Sequence, residues 1–377
     1  MCVNPLPSTS PACPAGATAV PPRVAAAICG IIAFHLRKRP TIVDIANACG
    51  VTHATVSRVL NGKLNVRPEL REQILRTAED IGYAPNLAAR SLNGSSDHII
   101  GVFASRYTDF TKGISEFLLE GLVEVLQPLG YEVFFRLLRA KAGNEAAVRT
   151  LPFWRFDGAI LLQAPDPEIV AALRRRRVPY IGVNEVVEGA AGNVLSNDSG
   201  GVELALDHLH ELGHRTIAYA NAGHYYLPHY SIEERHASIL SGTRVRKMTL
   251  TEGHDQPFTW EDAAGFLRKA KSAGATAIVT YDHQEAMLLL GAAYTEHLRI
   301  PDEMSLICFN DVFPLEFLPP PLTAVRVPGQ QMGEVGAKLL LKALSAKTRQ
   351  EPAEAKVVRV DEMLIVRGST APPQRAP

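Results

Sequence analysis

The chain has 377 residues, with 39 lysines and arginines against 39 aspartates and glutamates, and a formal net charge of zero. With 46% apolar and 21% charged residues it has the mix of a folded protein of two or three domains, which excludes a disordered chain. No stretch approaches the ~18–20 consecutive apolar residues of a transmembrane helix, so such a helix is excluded as well.

Five scattered cysteines (Cys2, Cys13, Cys29, Cys49, Cys308) form no C-x-x-C pair. That argues against a disulfide framework or a zinc ribbon and fits the reducing cytoplasm. Residues 1–35 carry six prolines within the first 22 positions, then an 11-residue apolar run from Val24 to Phe34. A secretory signal has its positive charges before the apolar run, but here Arg37, Lys38 and Arg39 follow it. The segment reads as a disordered, proline-rich extension ahead of a real start near Leu36. A short membrane-associating segment is the competing reading.

Residues 36–84 read as a small DNA-binding domain. Between Leu36 and Asn93 nine basic residues face five acidic ones, a local charge of +4 on a neutral protein. Thr41-Ile42-Val43-Asp44 has the layout of a capping box, and Gly50 sits where a left-handed cap ends a helix. Thr52 caps a second helix over His53–Asn61, ended by Gly62, and Cys49-Gly50-Val51 is the short turn of a helix-turn-helix. A third helix opens at Pro68 and runs to Ile81 before Gly82. Ile42, Ile45, Val51, Val56, Val59 and Leu60 then point inward, and Ala46 lets the first two helices cross closely. The second helix presents His53, Ala54, Ser57 and Arg58 outward, where a recognition helix meets base edges. Arg58 can pair with guanine O6 and N7, His53 can donate to an acceptor, and Ala54 can touch a thymine methyl. Thr41, Thr52, Thr55 and Asn61 stand where phosphates are gripped.

Residues 85–96 follow as a short helix and linker. Leu87–Asn93 makes under three turns, too few to be stable alone in water. Ala89 and Leu92 share a face, with Asn93 beside them. The residues alone leave two readings open, an apolar wedge for the minor groove and an ordinary linker.

Beyond Asp97, short β-rich runs (Ile99–Phe103, Glu132–Phe135, Ala159–Leu162, Tyr180–Val183, Thr216–Tyr219, Ala277–Thr280, Ser305–Phe309) alternate with amphipathic stretches such as 115–129 and 202–212. The alternation predicts parallel sheets with helices on both faces, and the length predicts two α/β lobes over 97–371 with a tail at 372–377.

The run Thr41-Ile42-Val43-Asp44-Ile45-Ala46, Gly50-Val51-Thr52, Thr55-Val56-Ser57-Arg58-Val59-Leu60-Asn61-Gly62, Gly82-Tyr83-Ala84-Pro85-Asn86 and Ala89-Arg90-Ser91-Leu92 resembles the lactose-repressor (LacI/GalR) family of bacterial transcription factors. The likeness extends through Phe156-Asp157-Gly158, Gly213-His214-Arg215, Ile300-Pro301-Asp302, Pro321-Leu322-Thr323 and Leu364–Thr370. It implies a hinge helix at 85–96 whose Leu92 wedges into DNA. It also implies a two-lobed effector and dimerisation domain built like a periplasmic sugar-binding protein. The implied partners are a palindromic double-stranded DNA operator, a small-molecule effector of the sugar class and a second copy of the chain. Asp198, His229, Arg235, Asp282 and Asn310 fall where the resemblance implies effector contacts. Four departures stand out: Asn310 replaces a common aspartate, Asp282-His283 replaces the usual Asn-Asp, Ser238 replaces a common glycine after Arg235, and Ser238–Met248 looks shortened, which predicts a truncated helix after Arg235. The seven residues after Thr370 carry no heptad pattern, so a dimer rather than a tetramer is expected.

Two other readings are weaker. A solute-binding protein without a DNA role leaves residues 41–93 unexplained. A zinc metallohydrolase rests on His210-Glu211-Leu212-Gly213-His214 alone, and Gly213 more naturally ends the helix than carries both histidines on one face. No G-x-G-x-x-G or P-loop occurs, so neither enzyme activity nor a cofactor is expected. Arg174–Arg177 reads as a solvated helix end.

Overall fold

The structure is a computed structural model that describes residues 40–60, 66–83, 98–105, 113–138, 148–162, 166–221, 229–253, 259–349 and 356–374. The expected extension (1–35), the hinge segment (85–96) and the candidate residues Asn61, Ala89, Leu92 and Asn93 lie outside the described residues. The chain separates into two compact units, 1–93 and 94–377.

In the first unit, helices α1 (Ile42–Cys49), α2 (His53–Leu60) and α3 (Pro68–Asp80) pack around Ile45, Ala46, Val56, Val59, Ile74 and Ala78. Ile42, Val51 and Leu60 cover that core from its rim, so the inward set matches the spacing of the sequence. The Thr41 backbone N–H and hydroxyl both donate to Asp44 Oδ2, at 2.6 and 2.7 Å. Gly50 takes the left-handed conformation (φ 65°) that turns the chain from α1 to α2 without a Cβ penalty.

In the second unit, the first lobe begins with β1 (Ile99–Ser105), α4 (Ile114–Leu126), β2 (Glu132–Leu138), β3 (Gly158–Leu162), α5 (Pro167–Arg175), β4 (Tyr180–Val183) and β5 (Gly192–Ser196). The chain then crosses to the second lobe. There it forms α6 (Asp198–Leu212), β6 (Thr216–Ala220), α7 (Tyr230–Val245), β7 (Thr249–Gly253), α8 (Trp260–Ser272), β8 (Ala277–Thr280), α9 (His283–Thr295), β9 (Ser305–Phe309) and β10 (Thr323–Arg326). It returns to the first lobe as α10 (Gly329–Arg349) and β11 (Lys356–Val360), and crosses once more into β12 (Met363–Ile365).

The first sheet runs β11-β5-β4-β3-β1-β2, all parallel, and the second β12-β10-β9-β8-β6-β7, parallel except for the β10–β12 pair. Each sheet buries an apolar cluster on both faces, as fully parallel strands require. All seven strands expected from the sequence are present. The segments 192–196, 249–253, 323–326, 356–360 and 363–365 add strands that its alternation did not single out. The helix carrying Arg235 is not truncated: α7 continues unbroken to Val245, with Ile239 buried beneath it.

The strand order reverses between β1 and β3 in one sheet and between β6 and β8 in the other. At such switch points neighbouring connections leave in opposite directions and open a crevice at the strands' carboxyl ends. Three crossovers, at residue 197, residues 327–328 and residues 361–362, join the lobes. Two are tied directly, since Asn197 N–H donates to Val360 O and Asn197 Nδ2 to Asp361 Oδ1, both at 2.8 Å.

Helices α4 and α10 meet backbone to backbone through glycines. A Cβ on Gly121 would overlap the Gln330 carbonyl, and one on Gly333 the Leu118 carbonyl. Gly121→Ala is therefore expected to lower the unfolding free energy by ~1–3 kcal/mol through overpacking. Urea titration monitored by circular dichroism would read this as a lower midpoint at unchanged slope.

Candidate functional site

In the first unit the exposed side of α2 carries Thr52, His53, Ala54 and Arg58, with Thr55 and Ser57 half-buried. Val56 and Val59 face the opposite way into the core, so the polar face follows from the helical period alone. Thr55 N–H donates to Thr52 Oγ1 at 3.3 Å and the two hydroxyls bond each other at 3.0 Å. The Thr41 hydroxyl proton is already used on Asp44. A phosphate near α1 would therefore meet the backbone N–H groups of the helix start rather than that hydroxyl.

In the second unit the charged centre lies where the lobes join. Asp198, the first residue of α6 after the first crossover, is fully buried and accepts from Arg235 Nε at 2.5 Å. Arg235 Nη1 donates to Tyr281 O at 2.8 Å, and Nη2 lies 3.5 Å from Glu362 Oε1 in the third crossover. The guanidinium sits 4.1 Å over the Phe309 ring and 5.1 Å from the Tyr281 ring centre. Burial disfavours the charge on Arg235, but Asp198 and Glu362 reverse that and hold it firmly protonated. Burial outweighs Arg235 at Glu362 and pushes its carboxyl well above the usual carboxylate range. Glu362 packs against the first turn of α6, where a Cβ on Gly201 would collide with it.

Asn310 follows Phe309 directly, with φ 67° and its backbone N–H bonded to Val325 O. Asp198 and Arg235 are thus brought together, and Asn310 stands one residue after the Phe309 ring that packs on Arg235. The other two candidates have structural partners. Asp282 caps α9, accepting from Gln284 N–H at 2.6 Å, while its own N–H donates to Glu285 Oε2 at 2.9 Å. It is Tyr281 that meets Arg235. His229 caps α7 and bridges the lobes, with Nε2 2.7 Å from Asn184 O and Nδ1 2.6 Å from Ser231 Oγ. A carbonyl only accepts, so Nε2 carries the proton and Nδ1 accepts from Ser231. Tyr230 Oη extends the bridge, accepting from Ser196 N–H at 3.0 Å and donating to Asn184 Oδ1 at 3.2 Å. Glu362, Tyr230, Tyr281 and Phe309 were not among the sequence candidates. The available signal was the acidic pair Asp361-Glu362 set between the apolar residues of 357–366.

His214 is buried, with Nδ1 2.7 Å from Thr276 Oγ1 and Nε2 3.0 Å from Ala371 O, and Gly213 (φ 101°) ends α6. Both ring nitrogens serve the fold, and the helix ends before His214, so the zinc-protease reading fails on geometry. Among the described residues no helix is long and apolar enough to cross a membrane. At the end of α5, Arg174 to Arg177 are exposed, and Arg174 Nε donates to Tyr180 Oη at 2.9 Å.

A helix-turn-helix unit with a polar recognition face, followed by two lobes with a buried polar centre at their junction, defines a ligand-responsive DNA-binding regulator. Residues 41–86 match the model of the bacterial regulatory proteins of the lacI family, and residues 206–370 that of the periplasmic binding protein-like domain. Residues 41–86 are thus a lacI-family domain, and the relatives of the chain are lacI-family transcriptional repressors, a family of transcriptional regulators and not of enzymes. It is 26% identical over 315 residues to the probable transcriptional repressor ExuR of Bacillus subtilis, covering 81% of this chain and 92% of that protein. It is likewise 26% identical over 328 residues to the regulator CelR of Thermobifida fusca, covering 83% and 94%. Among solved structures, the lac repressor dimer bound to operator and an anti-inducer superposes with a TM-score of 0.72 at 22% identity. That match covers 89% of this chain and all of that one. A CelR–cellobiose complex superposes with a TM-score of 0.61 at 24% identity, covering 88% of this chain and 100% of the other.

Two predictions follow from the junction. Arg235→Met leaves Asp198 and Glu362 buried without a cation and is expected to cost ~3–5 kcal/mol in urea unfolding. Burial holds His229 below its ordinary value of 6.5, so the unfolded chain binds the proton more tightly than the folded one. Stability from this group is complete above pH 6.5 and falls as the pH drops towards its folded value. The slope is at most ~1.4 kcal/mol per pH unit. His229→Gln is expected to flatten that acid limb in a pH series of unfolding curves, whereas an identical limb removes His229 as its source.

Proposed function

We propose that this protein is a cytoplasmic repressor of genes for carbohydrate uptake or catabolism that binds a palindromic operator as a homodimer. A small molecule in the inter-lobe crevice switches its affinity for the operator. The observation that carries this reading is the buried polar centre around Arg235, seated at a strand switch point between lobes joined by three crossovers. A ligand there binds the closed and open arrangements of the lobes with different affinity, which is the requirement for a two-state switch. Asp198, Arg235 and Asn310 are the effector residues of this reading, with His229 and Asp282 supporting them from the bridge and the helix cap. Relatives whose names describe repressors, and a regulator solved in complex with cellobiose, support the sugar class.

On the DNA side, Arg58 and His53 contact base edges, Ala54 a thymine methyl, and Ser57 either. Thr41, Thr52, Thr55 and Asn61 hold the backbone. The segment with Ala89, Leu92 and Asn93 forms the minor-groove wedge. The full chain, titrated by fluorescence anisotropy against palindromes from a randomised-site selection, is expected to favour one sequence ~10³-fold or more over scrambled DNA. Weak, salt-sensitive binding without preference would sink the reading. Arg58→Ala is expected to cost ~1–3 kcal/mol on the selected operator and to relax preference at one base pair, while equal weakening on scrambled DNA contradicts a base-reading role.

A further inference from the structure

The crevice at the lobe junction carries several polar groups that the chain itself leaves without a partner. Glu362 Oε1 and Oε2, Asn221 Oδ1 and Asn310 Oδ1 are buried without a hydrogen-bond partner, as is Tyr219 Oη. Buried polar atoms are almost always satisfied in native proteins, so several orphans on one crevice point to a ligand that supplies their partners. Their positions support a single site. Tyr219 and Asn221 stand at the end of β6 and Asn310 at the end of β9, with only β8 between them. At a strand spacing of ~4.8 Å these groups lie within ~10 Å of each other. Arg235, stacked on Phe309 beside Asn310, connects them to Glu362.

Charge narrows the ligand further. Arg235 is the one buried arginine or lysine among the described residues. Its guanidinium is bonded to Asp198 and the Tyr281 carbonyl and lies next to Glu362, with aromatic rings against it. If Glu362 is ionised the group of three is net negative, and if it is protonated the group is neutral. In neither state does a net positive charge face a ligand. A carboxylate or phosphate entering here loses its hydration and gains no net counter-charge. A hydroxyl or an ammonium group can donate to the unpartnered oxygens of Glu362, Asn221 and Asn310.

We propose that the crevice selects a neutral or amine-bearing polyol and rejects the matching sugar acid or sugar phosphate. This inference rests on the reading of the crevice as the effector site. Isothermal titration calorimetry on the full chain tests it with common hexoses and pentoses, each compared with its amino, uronic acid and phosphate derivatives. In every series that binds, the neutral or amino member is expected to bind at least ~10-fold more tightly than the acid or phosphate. An acid or phosphate that equals or exceeds its neutral parent overturns the proposal. Absence of binding across every series instead overturns the carbohydrate reading beneath it, so the two failures are distinguishable. Asp198→Asn removes one negative charge beside Arg235 and is expected to narrow the gap to the acid by ~10-fold. A folded variant with an unchanged gap overturns the charge argument, and the wild-type series stands if the variant does not fold.

Discussion

The body of this protein depends on one buried guanidinium. Arg235 is held by Asp198 from the first crossover and faces Glu362 from the third, so residues from two separate returns of the chain need the same cation. Taking Asp198 and Arg235 out of water costs several kcal/mol per ion, and only their mutual geometry offsets it. The arrangement therefore contributes less to net stability than to uniqueness. A shift in the first crossover would strand a buried charge. The link between Asn197 and Asp361 restrains the same two strands from the outside.

Around that fixed point the two lobes meet through contacts of a different kind. His229 and Tyr230 at the start of α7 reach Asn184 and Ser196 of the first lobe through neutral hydrogen bonds. Each is worth only ~0.5–1.5 kcal/mol net, because water can replace it when the lobes part. Within each lobe, by contrast, apolar clusters cover both sheet faces and cannot open at such small cost. Rigid lobes joined by a strongly specified hinge and a weak polar bridge are suited to a change of angle rather than of internal structure. This is the physical basis for coupling a small ligand to a two-state change.

The helix-turn-helix unit solves a smaller problem. Its core is a handful of aliphatic side chains from three helices, close to the lower limit for a domain that folds on its own. Capping supplies what the core lacks: Asp44 satisfies the start of α1, Gly50 ends it and Thr52 starts α2. Because Val56 and Val59 face inward at helical spacing, His53, Ala54 and Arg58 are presented outward without further support.

Much of this was legible in the amino-acid sequence. The three helices of the head, their caps and their inward residues follow from local signals of a few residues each. The strands at 99–103, 159–162 and 277–280 are continuous apolar runs because both faces of their sheets are covered. Strand 249–253 escaped notice because Thr249-Leu250-Thr251-Glu252-Gly253 lies at a sheet edge and alternates weakly. Strands 356–360 and 363–365 did so because they are short and flank a crossover. The resemblance brought out Asp198, Arg235 and Asn310, but not that Tyr281 rather than Asp282 meets Arg235, nor that His229 bridges the lobes. Least of all did it suggest that Glu362, far along the chain, completes the charge cluster. Sequence by itself determined the helix-turn-helix domain and most of the central strands, because caps, periodicity and motifs act within one or two turns of chain. Only the tertiary structure decided which polar groups share the crevice. That depends on where three crossovers bring distant segments together, and the register of such returns leaves no local trace.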